Sequence, residues 1–125
     1  MAKRKVTNLT DVSEITCVVQ KGKADDIVQS LLDAGIQGAT VHSGVGTGIR
    51  ERMGLLGVAV EVEREIVQVL VSKDQVDRIF ERMYLAARLD TPGMGYMYAA
   101  PLVQAATYIP AHLLEDKDSI SSMGM

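Results

Sequence analysis

The chain has 125 residues, which is enough for one domain with a hydrophobic core and too few for two. Apolar residues make up 47% and charged residues 23%, so the composition is that of a globular protein and excludes a disordered chain. The formal net charge of −3 disfavours DNA or RNA as a partner. Since the sequence contains neither an apolar run of membrane-spanning length nor a signal-peptide pattern, we expect a cytoplasmic protein.

The first half of the chain predicts a strand, a helix and a second strand. Residues 1–13 show no periodicity and are predicted to form a mobile arm. Residues 15–19 are rich in β-branched side chains, which favours a strand, and Cys17 within it is predicted to be a buried, unreactive thiol. A helix with acidic residues in its first turn follows and is predicted to end at Gly35. Residues 36–42 form the next predicted strand.

The second half repeats this order. Residues 65–71 are the clearest strand of the sequence, and Ser72 with Gln75 forms a predicted capping box for the following helix. Apolar residues at helical spacing over 76–87 predict an amphipathic helix, and 96–99 is the fourth predicted strand. The repeated strand–helix–strand order predicts an α+β fold, the ferredoxin-like βαββαβ sandwich with a four-stranded antiparallel sheet and two helices on one face.

Both faces of the predicted sheet carry apolar side chains. Ile15 and Cys17 point to one side and Val18 to the other, while Ile66 and Leu70 lie on the second side of their strand. Two helices cover only one face, so the other would expose an apolar patch too large for a monomer. We therefore expect an oligomer that assembles through the sheet face, for which a cyclic arrangement is suitable.

A glycine-rich segment follows the second predicted strand. Gly44, Gly46 and Gly48 alternate with other residues, and Arg50 and Arg52 follow. Exposed backbone N–H groups in such a turn can bind an anion. The alternative is a tight turn between strands that binds nothing. The segment is neither a Walker loop nor a dinucleotide-binding fingerprint, because no Gly-Lys-Ser/Thr follows and it does not open a helix.

The loop after this segment has an unusually apolar tip for an exposed connection. We predict that it docks a partner, a membrane transporter or an enzyme cleft. The alternative is that its two leucines fold back onto the protein. The predicted docking residues are Arg52, Met53, Leu55 and Leu56.

Neither histidine predicts a catalytic or metal site. His42 has no cysteine, second histidine or carboxylate nearby in sequence, so we interpret it as a structural, hydrogen-bonded histidine. His112 precedes Glu115 and Asp116 in a polar tail, where a solvated cluster is the favoured interpretation. No serine or cysteine lies beside a base at nucleophile spacing, and we assign no catalytic residue.

Taken together, the segments 19–27, 35–41, 46–48, 65–71, 74–77 and 93–96 resemble those of the PII-like signalling proteins that regulate nitrogen metabolism. The resemblance covers roughly residues 14–108 and implies a single domain over 14–110. Its long loop would occupy about 49–64, and 111–125 would form a C-terminal tail.

The resemblance implies a trimer that is not an enzyme and requires no cofactor. An adenine nucleotide (ADP, AMP or ATP) would bind as effector in the clefts between subunits. The long loop would then block or release a target transporter or metabolic enzyme. By position, the implied nucleotide-binding residues are Val18, Gly46, Thr47, Gly48, Ile49, Arg50, Arg64, Leu70, Gly93, Met94, Gly95 and Tyr96.

The sequence also departs from the pattern of the nitrogen regulators. Tyr96 stands at the position of a phosphate-binding lysine, and no lysine or arginine occurs between Asp90 and Lys117. Arg50 replaces a glutamine, and it could partly compensate together with Arg52 and Arg64. Because a triphosphate is costly to bury without cations, we expect altered binding: ADP, AMP, a modified nucleotide, another anion, or nothing. The alternatives are a small enzyme or metal-binding protein on the same trimeric fold, and a ligand-free adaptor.

Overall fold

A computed structural model describes residues 6–47 and 61–108, except for the side chains of residues 46, 47, 61 and 62. In this part of the chain, four strands form one sheet in the order β2-β3-β1-β4, and all neighbouring strands are antiparallel. The predicted ferredoxin-like α+β architecture is confirmed. The elements in chain order are β1 (Val12–Gln20), α1 (Ala24–Asp33), β2 (Thr40–Thr47), β3 (Glu61–Ser72), a 3₁₀ turn (Lys73–Gln75), α2 (Val76–Ala86) and β4 (Gly95–Pro101).

Both helices pack on one face of the sheet, and this face forms the hydrophobic core. Burying one valine, leucine, isoleucine or methionine side chain contributes roughly 1.5–3 kcal/mol to the free energy of folding. Cys17 retains no accessible surface, so the predicted burial of its thiol is confirmed, and burial raises the pKa of this thiol to about 11. The fully buried core residues include Ile15, Cys17, Val19, Ile27, Leu31, Val67, Val71, Ile79 and Met83.

The opposite face of the sheet is not covered by helices. Val18, Ile66 and Leu70 lie on it and are half-buried, as their alternation predicts, while Tyr96 and Tyr98 of β4 are exposed on it. Polar side chains interrupt this apolar set, so the face is more mixed than the apolar residues of β1 and β3 alone indicate. These polar residues are Glu14, Thr16, Gln20, His42 and Gln68.

Gly35 stops helix α1 as predicted, two residues after its last residue Asp33, but the second strand begins later than predicted. Gly35 has φ of +83°, its N–H donates to Leu32 O at 3.0 Å, and the Ile36 N–H donates to Leu31 O at 2.9 Å. This Schellman motif turns Ile36 into the core, where it retains 6% of its accessible surface. The predicted strand over 36–42 is therefore wrong in its first half, because Ile36 completes the helix end.

Strand β2 continues through the segment for which the sequence predicts a glycine turn. Gly44 pairs with Arg64 and Thr47 with Glu61, so β3 begins at Glu61. The alternation of apolar and acidic residues over 58–65 predicts such an extension of the strand at 65–71. Glycine is tolerated here because β2 is an edge strand whose backbone bonds are supplied by β3. The turn interpretation is wrong up to residue 47. The predicted long loop of about 49–64 is too long at its C-terminal end, because residues 61–64 belong to β3.

The predicted N-terminal arm over residues 1–13 is too long. Val12 and Ser13 belong to β1, and Leu9 retains only 5% of its accessible surface. Leu9 and Ala105 form an isolated antiparallel bridge with hydrogen bonds of 2.7 and 3.0 Å. The domain therefore begins before residue 14. Residues 1–5 and the predicted tail at 111–125 lie outside the described residues.

Helix α2 matches its predicted periodicity, and Ile79 and Met83 are fully buried. The predicted capping box is wrong. The Ser72 hydroxyl donates to Asp74 Oδ1 at 2.7 Å, and a 3₁₀ turn separates Ser72 from the helix. The short Ser72–Asp74 contact competes with the cap because serine side chains readily bond to groups two residues away.

Candidate functional site

Several of the predicted nucleotide-binding residues meet at the end of the sheet where β1 finishes. Val18 pairs with Tyr96 on β4, and Gln20 pairs with Arg64 on β3. Beyond Gln20, residues 45–47 and 61–63 remain paired. They extend the β2–β3 ribbon past β1 by about 10 Å, at roughly 3.3 Å per residue. The connection 48–60 therefore begins and ends on a projecting ribbon at this end.

The short loop before β4 is held tightly against β1. The Gln20 side-chain amide Nε2 donates to Gly93 O at 2.9 Å. Gly95 has φ of +143°, and a Cβ added there would overlap the carbonyl oxygen of Val18. Only glycine fits this position, because both its backbone conformation and the close approach to β1 exclude a side chain. The loop is thus fixed at the end of the sheet that also carries Arg64.

A glutamate that the sequence did not single out organises the turn between β1 and α1. Glu65 Oε1 accepts hydrogen bonds from the Gly22 N–H at 2.6 Å and from the Ala24 N–H at 3.1 Å. The side chain of the N-cap residue Lys23 forms no capping hydrogen bond. The carboxylate of Glu65, on β3, instead accepts a hydrogen bond from the first N–H of α1, where negative charge is favoured. This contact was not predictable from local sequence, since its partners lie more than forty residues apart.

The same turn carries an exposed ion pair. Lys21 Nζ lies 2.8 Å from Glu63 Oε2, and both side chains are largely exposed. The hydrogen bond from Lys21 lowers the pKa of the Glu63 carboxyl, and the same bond raises the pKa of the Lys21 ammonium. The end of the sheet therefore contains a cation besides Arg64, namely Lys21. The sequence analysis does not predict its place in the site, because Lys21 precedes a helix and lies far along the chain from the glycine segment.

The structure does not bring all predicted site residues together. Gly46 and Thr47 are the last residues of β2, on the far edge of the sheet from β4. Leu70 pairs with Glu14 near the other end of β1, away from Val18. Gly93 and Met94 precede β4 in the short loop. Gly48, Ile49 and Arg50, together with the docking residues Arg52, Met53, Leu55 and Leu56, lie outside the described residues.

His42 lies on the uncovered face of the sheet and is hydrogen-bonded, as predicted. Its Nε2 lies 3.2 Å from the side-chain oxygen of Gln68, and the ring is exposed. Within residues 6–47 and 61–108, no three histidine, cysteine or acidic residues are grouped as a metal site would require. In the same ranges, no helix is both long and apolar enough to cross a membrane.

Comparison with known proteins identifies the family. Residues 12–110 match the model of the family "Nitrogen regulatory protein P-II". Since the match spans most of the sequence, the protein belongs to the P-II family. Members of this family are regulatory proteins, not enzymes, and are typically trimers that bind effectors and regulatory targets.

Two relatives illustrate the similarity. The chain is 31% identical over 97 residues to the nitrogen fixation nifHD region GlnB-like protein 1 of Methanothermococcus thermolithotrophicus, covering 74% of this chain and 90% of that protein. A crystal structure of Arabidopsis thaliana PII bound to citrate is similar in fold, with a TM-score of 0.59 and 22% identity. That match covers 74% of this chain and 78% of the plant chain.

Proposed function

We propose that this P-II family protein senses an adenine nucleotide or another small anion in clefts between the subunits of a trimer. Occupancy of the clefts would set the conformation of residues 48–60, which would bind and regulate a target transporter or metabolic enzyme. We place the protein in the cytoplasm, where it would reach a membrane only through such a partner. The support comes from the family and from the placement of the two loop bases.

The observation that carries the proposal is that both loop bases lie at the same end of the sheet. The ribbon of β2 and β3 projects past Gln20, and the Gly93–Gly95 loop is fixed beside Val18. In one chain these bases lie on opposite sheet edges, three strand spacings or about 14 Å apart. A cyclic assembly that sets β2 of one copy beside β4 of the next would join them in one cleft.

The charges at this end decide which ligand such a cleft would prefer. A phosphate needs cationic or N–H donors. The short loop forms one wall of the cleft, and the sequence from residue 91 to 116, which includes this loop, contains no lysine or arginine. The cations would come from the β2–β3 side, which contributes Arg64 in β3 and Arg50 just after the ribbon. We therefore propose that a ligand with fewer charges than ATP, such as ADP or AMP, binds best.

A ligand-free adaptor is the second candidate function. The same lack of cations after Asp90 favours it, because a buried phosphate without enough cations is costly. In this case the ribbon would present residues 48–60 to the target in one constant conformation.

A thermal-shift panel separates the two candidates. With ATP, ADP, AMP and cyclic nucleotides at millimolar concentration, a sensor gains stability, about 2.7 kcal/mol at a ligand concentration one hundred times Kd. The substitutions Arg50→Ala and Arg64→Ala should reduce this gain. Arg78→Ala is the matched control, since Arg78 is an exposed residue of α2 whose Nε donates to the side-chain oxygen of Gln75, three residues back. A flat response to every nucleotide would support the adaptor.

A further inference from the structure

An open groove of about 430 Å³ lies at the end of the sheet opposite the candidate nucleotide site. It is bounded by the start of β1, the end of β4 and the start of α2. Its volume is within the range of small-molecule sites. Much of its lining is apolar and is contributed by Val12, Val76, Ala99, Ala100 and Pro101.

Two residues of opposite charge line this groove side by side. The Lys73 backbone N–H donates to Asp11 O at 2.8 Å, which fixes the two residues next to each other. Both residues are exposed. Among the described residues, neither forms a salt bridge with the other or with a third residue. The groove thus offers one ammonium and one carboxylate that do not neutralise each other.

A buried hydroxyl lines the same groove. Ser13 retains 7% of its accessible surface, and no hydrogen bond among the described residues involves its side chain. Buried hydroxyls are normally satisfied, and the neighbouring Ser72, which is fully buried, donates to Asp74 at 2.7 Å. Ser13 therefore provides an unused polar group in a groove that already has a positive and a negative side chain.

We propose that this groove binds a small zwitterion, namely a free α-amino acid with an aliphatic side chain. Lys73, at the start of the turn that leads into α2, would bind the carboxylate, and the positive end of the helix dipole adds to this preference. Asp11 would bind the α-ammonium group. The apolar wall would take the side chain. A nucleotide is disfavoured because one lysine cannot balance several phosphate charges beside Asp11, and a metal ion is disfavoured by Lys73.

The proposal does not depend on nucleotide sensing, because the groove and the candidate nucleotide site lie at opposite ends of β1. The test is an NMR titration of the full-length ¹⁵N-labelled chain with L-leucine. We expect saturable shifts of the amides of Ser13, Lys73 and Val76. Isoamylamine and isocaproate each keep only one of the two charges and should bind at least about tenfold more weakly. Equal binding of either analogue, or the absence of saturable shifts, would overturn the proposal.

Variants supply the second part of the test. Lys73→Gln and Asp11→Asn should each weaken leucine binding at least about tenfold. Lys23→Gln and Asp25→Asn change the same charges at the other end of β1 and should retain the affinity of the unmodified protein. Ala99→Leu should abolish binding by filling the groove, while the amide spectrum shows a folded protein. Unchanged affinity in Lys73→Gln would refute the assigned site.

Discussion

The contact between Glu65 and the β1–α1 turn gives a prediction whose size follows from the structure. Glu65→Ala removes the acceptor of the Gly22 and Ala24 N–H groups. A capping hydrogen bond is worth roughly 0.5–2 kcal/mol, and the Gly22 bond is exposed, so we expect a total loss of about 1.5–2 kcal/mol. At roughly 4 °C per kcal/mol for a domain of this size, the melting temperature should fall by about 6–8 °C.

The assay is thermal unfolding followed by far-UV circular dichroism at one fixed protein concentration, since association affects the melting temperature. Glu65→Gln keeps an oxygen acceptor but loses the charge, so its melting temperature should lie between those of the unmodified protein and Glu65→Ala. Glu63→Ala is the control on the same strand, because its ion pair with Lys21 is exposed and should contribute little. Equal losses in Glu63→Ala and Glu65→Ala would refute the capping role.

Three further predictions concern other positions. Cys17 should react with a disulfide reagent at pH 8 only after unfolding, because burial raises its thiol pKa to about 11; rapid modification of the native protein would contradict this. Gly95→Ala should cost more than about 2 kcal/mol in denaturant unfolding, while Gly44→Ala, where an added Cβ meets only an ordinary contact, should change little. Glu63→Gln should lower the raised pKa of Lys21 in an NMR titration, because the pair with Glu63 raises that pKa. Any stability that the ion pair contributes is lost as the pH rises through the pKa of Lys21 in the folded protein.

Much of the fold could be predicted because the core follows simple periodicities. The alternating apolar residues of β1 and β3 and the helical spacing around Ile79 and Met83 correspond directly to buried positions. Gly35 was also recognisable, because a glycine after a helical apolar pattern commonly ends the helix. These signals are local, and tertiary packing reinforces each of them.

Three of the errors come from contacts between distant parts of the chain, or from residues placed by family position. Pairing with β3 extends β2 over the glycines, so the segment is a strand although its composition suggests a turn. The bridge between Leu9 and Ala105 orders a segment that has no periodicity of its own. Leu70 was predicted as a nucleotide-binding residue from its position in the family pattern alone. The pairing of β1 with β3 sets Leu70 beside Glu14, towards the end of β1 opposite to Val18.

Native mass spectrometry with and without ADP tests the central claim most directly. The proposed sensor should appear as three chains, and millimolar ADP should add up to three nucleotide masses, one for each cleft. A monomeric mass would remove the clefts between subunits. A trimer that takes up no ADP, ATP or AMP would contradict nucleotide sensing and leave the adaptor as the function of the projecting ribbon.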